Sequence, residues 1–138
     1  MASLNDDARR LLAGPNYGYL ATLMPGGEPK VDPVWVDHEG DLVLVTTDGK
    51  SIKARNTALD DRVALAVTAF DDPYDQLQVR GRVVEVRPDD DLVVLDHMSE
   101  KYLGEPFPRR RWSERVVLVI EPALARSSHS PLTHKETR

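Results

Sequence analysis

The chain has 138 residues, of which 41% are hydrophobic and 30% charged, with a net charge of −5 and no cysteine. That balance suits one folded core rather than a disordered chain, and the acidic sign argues against a general electrostatic grip on nucleic acid. The missing cysteines exclude a disulfide framework, thiolate chemistry and cysteine-ligated zinc or iron–sulfur clusters.

No apolar run approaches the roughly 20 residues needed to span a bilayer. The opening MASLNDDARRLL lacks the charged, apolar and small-residue order of a secretory signal. The expectation is therefore a cytoplasmic protein without membrane or nucleic-acid partners, built as a single domain over residues 1–138, with residues 126–138 a polar C-terminal tail.

In chain order, Asn5 is placed to cap a short helix with Asp6 and Asp7 in its first turn and Leu11 and Leu12 on its apolar face; Gly14-Pro15-Asn16 ends it. Tyr17 to Leu23 reads as a strand, and Pro25-Gly26-Gly27 turns the chain into a second strand from Pro29 to Val36. Pro33 has no N–H to give a ladder, which points to an edge, a bulge or contact with something other than sheet. His38 to Asp41 makes a hairpin into a third strand, Leu42 to Thr46.

Ser51 then caps a helix running to Leu59, with Ile52, Arg55 or Asn56, and Leu59 at helical spacing. Val63 to Phe70 and Leu77 to Val86 are the fourth and fifth strands, and Gly81 in the latter allows a bend or a close backbone approach. Pro88 is suited to the first position of a longer helix through Leu92, Leu95 and Met98, ending near Tyr102. Gly104 to Arg111 reads as a loop, and Val116 to Ile120 as a closing strand. Six strands with tight turns and no GxGxxG argue against a parallel dinucleotide-binding sheet and for a mainly β fold with a few helices, an antiparallel barrel.

The segment Thr46 to Asn56, TTDGKSIKARN, gathers hydroxyls, cations and the free amides of a helix N-terminus. Such an end carries partial positive charge and unpaired N–H groups, so a phosphate can sit there with Lys50, Lys53 and Arg55 within reach. A well-capped surface helix would show the same composition. His38, His97, His129 and His134 are scattered over a turn, a helix and the tail and make no metal site. No nucleophile-elbow sequence presents a serine for acyl transfer. Arg109-Arg110-Arg111-Trp112 reads either as an exposed loop or as a rim gripping an acidic group. Tyr17, Tyr19, Trp35, Tyr74 and Tyr102 could all line a groove; only Trp35 is assigned to one.

The order of these pieces resembles the pyridoxamine 5'-phosphate oxidase-like split-barrel superfamily. The likeness rests on YGYLATL with its PGGEPKVDPVWV hairpin, DLVLVTT followed by KSIKARN, DDRVALAV, and LQVRGRVVEV, from Tyr17 to Val86, with the strand Val116 to Ile120 following. The short length and the Lys53-x-Arg55-Asn56 helix are closer to the branch of F(420)-dependent reductases than to the flavin mononucleotide (FMN) oxidases.

The resemblance implies a six-stranded antiparallel split β-barrel and a homodimer with cofactor sites between the barrels. Coenzyme F(420), or FMN as the alternative, would be held at its phosphate by Lys53 and Lys50, supported by Arg55 and Asn56. The ring would lie near Pro33, Val34 and Trp35, with Thr46 and Thr47 beside the ring or ribityl chain, and Arg80 and Trp112 would come from the second subunit. The polar ending RSSHSPLTHKETR departs from the Arg- and Trp-bearing signature that completes the vitamin-phosphate site of the oxidases, which makes that oxidation a poorer expectation. The implied activity is hydride transfer from the reduced deazaflavin to an electron-poor small organic substrate, with no dedicated catalytic side chain. An FMN-dependent oxidoreductase and a non-catalytic flavin- or haem-binding carrier or sensor are the alternatives.

Overall fold

The computed structural model describes residues 1–109 and 114–132. Its elements in chain order are α1 (Asp6–Ala13), β1 (Gly18–Leu23), β2 (Pro29–Val34), β3 (Val36–Glu39), β4 (Leu42–Asp48), α2 (Ile52–Leu59), β5 (Arg62–Ala69), β6 (Asp72–Pro88), α3 (Val93–Leu103) and β7 (Arg115–His129). Every strand pair is antiparallel, and the strands form one open sheet in the order β2-β1-β5-β6-β7-β4-β3.

The sheet has seven strands, not six, because the segment read as one strand from Pro29 to Val36 divides at Trp35. β2 is one edge of the sheet, where the missing N–H of Pro33 costs nothing, and β3 is the other edge. Consecutive strands at opposite edges are joined through a single residue, and a chain spans only about 3.8 Å per residue. The sheet must therefore curl until its two edges meet at Trp35, giving a barrel that stays split between β2 and β3.

The core follows from alternation. Val63, Leu65, Val67 and Ala69 of β5 and Leu77, Val79 and Val83 of β6 point inward, joined by Leu4, Ala8, Leu11 and Leu12 from the α1 end of the chain. β7 is buried on both faces from Val116 to Ile120: Val116, Leu118 and Ile120 enter the barrel, whereas Val117 and Val119 pack with Leu44 of β4 and Met98 of α3. Burial on both sides explains why this stretch reads as an unbroken apolar run. The long β6 bends at Gly81, where its register with β7 shifts. A Cβ there would collide with the Glu121 carbonyl oxygen, so only glycine fits.

Three local expectations are corrected. Pro88 is the last residue of β6 and not the first of a helix. The helix starts five residues later because the buried Asp89 carboxylate accepts from the amides of Val94 at 3.1 Å and Leu95 at 2.9 Å, capping α3 from outside it. In α2 the inward face is Ala54, Asn56 and Thr57, and Ile52 and Leu59 are exposed. Asn56 Nδ2 donates to Thr22 Oγ1 of β1 at 3.0 Å, so a polar contact and small side chains dock this helix where the apolar spacing suggested otherwise. β7 continues past Ala125 through His129, pairing with β6, so the segment read as a polar tail from residue 126 begins as strand. No helix among the described residues is long and apolar enough to cross a membrane.

Candidate functional site

A cleft of about 530 Å³ opens at the split. The β2–β3 crossover supplies Pro33, Val34 and Trp35 to it; β4 supplies Thr46, Thr47 and Asp48; α2 contributes Ser51 and Lys53. Leu95 and Phe107 close an apolar side, Arg115 enters from the first position of β7, and Tyr17 stands at another wall.

The polar end is preorganised. Thr47 Oγ1 donates to Ser51 Oγ at 3.0 Å, and Ser51 Oγ accepts from the Ala54 amide at 3.2 Å as the N-cap of α2. Arg115 is 7% exposed, and its Nη2 donates to Thr46 Oγ1 at 3.1 Å. Its guanidinium lies 5.9 Å from the centre of the Phe107 ring.

Burial pulls the pKa of Lys53 below the usual lysine range, with Lys30 and Arg115 pushing the same way and Asp32 and Asp48 opposing. Burial likewise lowers Arg115, against Asp48 and Asp89. Two partly dehydrated cations thus face one cleft beside the Asp48 carboxylate, and an anion brought there would offset part of what desolvation removes.

The aromatic wall is held from behind by α3. Trp35 stacks on Tyr102 with ring centroids 5.0 Å apart and planes at 10°. The Tyr102 hydroxyl donates to Asn16 O at 2.7 Å and accepts from the Val36 amide at 3.1 Å, and burial pushes its pKa up to about 12. Lys101 Nζ, in the same turn, donates to Leu12 O at 2.9 Å and to Val36 O, with burial pulling its pKa down to about 8. The crossover carrying Trp35 is thereby pinned to α1 and α3 together.

Of the residues marked from sequence, Pro33, Val34, Trp35, Thr46, Thr47 and Lys53 come together in this cleft. Lys50 and Arg55 are exposed and lie outside its lining, and Asn56 is turned inward to Thr22. Arg80 lies in a separate groove of about 420 Å³ with Tyr19, Val31, Ala64 and Arg126 on the outer face of the sheet. Trp112 falls outside the described residues, as do Arg110 and Arg111.

Arg115, Asp48, Leu95 and Phe107 were not marked, and Tyr17 was left unassigned. The signal for Arg115 was its alternation with Val117 and Val119, which puts it on the same buried face of β7. The described histidines stand elsewhere, His38 against Gly40 O, His97 3.4 Å from Asp37 and His129 2.9 Å from Asp72, and His134 lies outside the described residues. Among the described residues no three His, Asp or Glu side chains gather as a metal ion would need.

Residues 4–129 match the pyridoxamine 5'-phosphate oxidase family. An F(420) reductase of known structure is 32% identical, with a TM-score of 0.77 over 89% of this chain and 98% of its own. The conserved hypothetical protein Rv2991 from Mycobacterium tuberculosis is similar over 100% of this chain and 94% of its own, at 21% identity and a TM-score of 0.71. General Stress Protein 26 from Bacillus anthracis str. Sterne is similar over 89% and 92%, at 18% identity and a TM-score of 0.69. These last two share the fold alone. Comparison with curated proteins gives no match. The likeness across nearly the whole chain, on a split sheet with its cleft at the crossover, means that the protein belongs to the pyridoxamine 5'-phosphate oxidase-like superfamily, in its F(420)-reductase branch.

Proposed function

We propose that the protein is an F(420)-dependent oxidoreductase that acts as a homodimer on an electron-poor small organic substrate. The observation that carries this reading is the cleft itself: two partly desolvated cations, Lys53 and Arg115, stand with the hydroxyls of Thr46, Thr47 and Ser51, and a wall of Pro33, Val34 and Trp35 lies along it. A phosphate-bearing tricyclic ring has that division of polar and apolar surface, so the donor set fits the group.

When bound, the reduced deazaflavin supplies the hydride. Lys53 and the Ser51 hydroxyl would hold the phosphate, with Thr47 fixing Ser51 by its own hydrogen bond, each charge-assisted bond contributing about 1.5–3 kcal/mol. Arg115, fixed by Thr46, adds positive charge within the same cleft, and Lys50 and Arg55 on the exposed side of α2 draw further anionic groups of the tail. Trp35 would flank the ring and, with Leu95 and Phe107, would keep water from it. Asn56 serves by tying α2 to β1. The apolar outer face around Val31 and Ala64 packs against the second copy, which brings Arg80 towards the partner's cleft.

The test is binding of F(420) and of FMN to ligand-stripped protein, followed by fluorescence, with turnover of the reduced cofactor measured against a panel of electron acceptors. Selective, tight binding of F(420) with turnover is expected. Preference for FMN would transfer the activity to a flavin oxidoreductase, and binding without turnover of any acceptor would make the chain a carrier or sensor.

A further inference from the structure

The edge strand β2 turns two charges inward. Lys30, Asp32 and Val34 alternate onto its covered face, and Pro29, Val31 and Pro33 are exposed on the other. Lys30 Nζ donates to Asp32 Oδ1 at 2.5 Å, with the two side chains 29% and 20% exposed. The second carboxylate oxygen, Asp32 Oδ2, is buried and accepts no hydrogen bond from any described residue. An inward charge keeps a sheet edge from pairing with another strand, and the lysine alone would serve that end. Burying a carboxylate oxygen without a donor adds a desolvation cost that folding does not require.

The sheet register and α2 explain what lies beside it. In the β1–β2 ladder Lys30 is opposite Thr22 and Asp32 is opposite Leu20. Asn56 of α2 donates to Thr22 Oγ1 at 3.0 Å, and Lys53 lies three residues before Asn56, on the same side of the helix. Lys53 is thereby brought beside Asp32 where the cleft begins, since Lys53 lines the cleft together with Pro33 and Val34, the two residues that follow Asp32. Among the described residues, the charges that act on Lys53 come from β2, β4 and β7. Burial pulls its pKa down; Asp32 is the strongest of the charges opposing this, Lys30 and Arg115 push it further down, and Asp48 opposes.

We propose that Asp32 is the counter-charge of the cleft, a positioning residue that keeps Lys53 a cation facing the phosphate while Lys30 fixes the carboxylate. The proposal rests on the reading of Lys53 as the phosphate ligand. A half-buried ammonium is prone to lose its proton, and a neutral amine offers a phosphate no charge. Asp32 makes its ion pair with Lys30 and acts on Lys53 through space, from outside the cleft lining. The cation is therefore in place before the anion arrives, with no ion pair to Asp32 that the phosphate must break.

The test is F(420) binding by isothermal titration at about pH 7.5 and about pH 9.5, on the low side of the ordinary lysine range, in the full chain and in the isosteric Asp32→Asn. At the lower pH the variant is expected to bind within about twofold of the unsubstituted protein, because the lost carboxylate both supported the lysine and repelled the phosphate. At the higher pH it is expected to bind about tenfold more weakly than the unsubstituted protein, the worth of one charge-assisted bond. Asp32→Asn/Lys53→Arg, whose guanidinium stays charged, should bind alike at both. Lys30→Met removes a cation that pushes Lys53 down, so its alkaline loss should begin at higher pH than in the unsubstituted protein. A change that only loosened the edge strand would weaken binding at both pH values and in both single variants.

Cofactor-free protein labelled with carbon-13 at the lysine Cε supplies the second readout. The Lys53 resonance, assigned by its absence from Lys53→Arg, is expected to titrate at lower pH in Asp32→Asn and at higher pH in Lys30→Met. Midpoints that agree within about 0.2 pH unit across these proteins would overturn the proposal, since the interaction would then be negligible. So would an alkaline loss of affinity that persists in Asp32→Asn/Lys53→Arg. Separated midpoints, with F(420) affinity indifferent to Lys53→Ala, would overturn the phosphate reading and leave the Asp32–Lys53 coupling standing.

Discussion

Tyr102 lies flat on Trp35, ring centroids 5.0 Å apart, while its hydroxyl bridges the Asn16 carbonyl and the Val36 amide. One side chain thus sets both the plane of the cleft wall and the position of the backbone that carries it. Tyr102→Phe keeps the stack and removes both hydrogen bonds, leaving a partly buried donor and acceptor without their partner. It is expected to lower stability by about 1–3 kcal/mol. Denaturant midpoints at unchanged slope measure the loss, and Trp35 fluorescence should stay close to that of the unsubstituted protein. Tyr102→Ala should instead release Trp35 and shift its emission.

Lys101 makes stability depend on pH. Its pKa is about 8 in the folded chain against 10.5 as its ordinary value, so between these the unfolded chain binds more protons. The contribution of this residue to stability therefore rises as pH climbs from about 8 to about 10.5, and below 8 the cost of burying the charge is present in full. A neutral amine still carries two N–H bonds for Leu12 O and Val36 O, so nothing is lost on deprotonation. Urea unfolding of the unsubstituted protein and of Lys101→Met, followed across that window, should show the unsubstituted protein gaining on the variant. A difference that stays flat with pH would refute the assignment.

Lys53 and Arg115 should fail separately and together. Lys53→Ala is expected to weaken cofactor binding by at least about 1.5 kcal/mol, the value of one charge-assisted bond, and Arg115→Met by a similar amount. The double variant should lose less than the sum of the two, because each cation raises the cost of keeping the other in the cleft. Isothermal titration of the four proteins measures the coupling, and a dissociation constant unchanged by Lys53→Ala would sink the phosphate assignment.

Gly81→Ala places a methyl group against the Glu121 carbonyl oxygen, which is backbone and cannot swing aside. A cost of about 1–3 kcal/mol is expected, as for overpacking elsewhere. Hydrogen exchange should quicken at the β6–β7 pairs around Gly81 while the β4–β7 pairs remain protected. Uniform protection would mean that the bend relaxes without strain.

Much of this molecule is legible along the chain because its signals are local. Asn5 accepts from the Ala8 amide and Ser51 from the Ala54 amide, as their side chains and positions require. Gly81 is a bend, and Pro33 is on an edge strand, because a missing Cβ and a missing N–H act at the residue that lacks them. Thr46, Thr47 and Lys53 share a cleft with Pro33, Val34 and Trp35 because strand β4 and the α2 cap fall beside the crossover.

What escaped local reading depends on partners far along the chain. Trp35 ends one strand and starts another because the sheet closes on itself there, with β2 and β3 at opposite edges. Arg115 enters the cleft because Thr46, 69 residues earlier, receives its guanidinium, and α2 docks through Asn56 because Thr22, 34 residues earlier, accepts from its side-chain amide. Strand alternation, caps and turns are written in neighbouring residues by hydrogen bonding and sterics. The closing of the sheet, the meeting of Lys53 and Arg115 in one cleft and the stacking of Tyr102 on Trp35 are decided by long-range packing, which exists only once the barrel has formed.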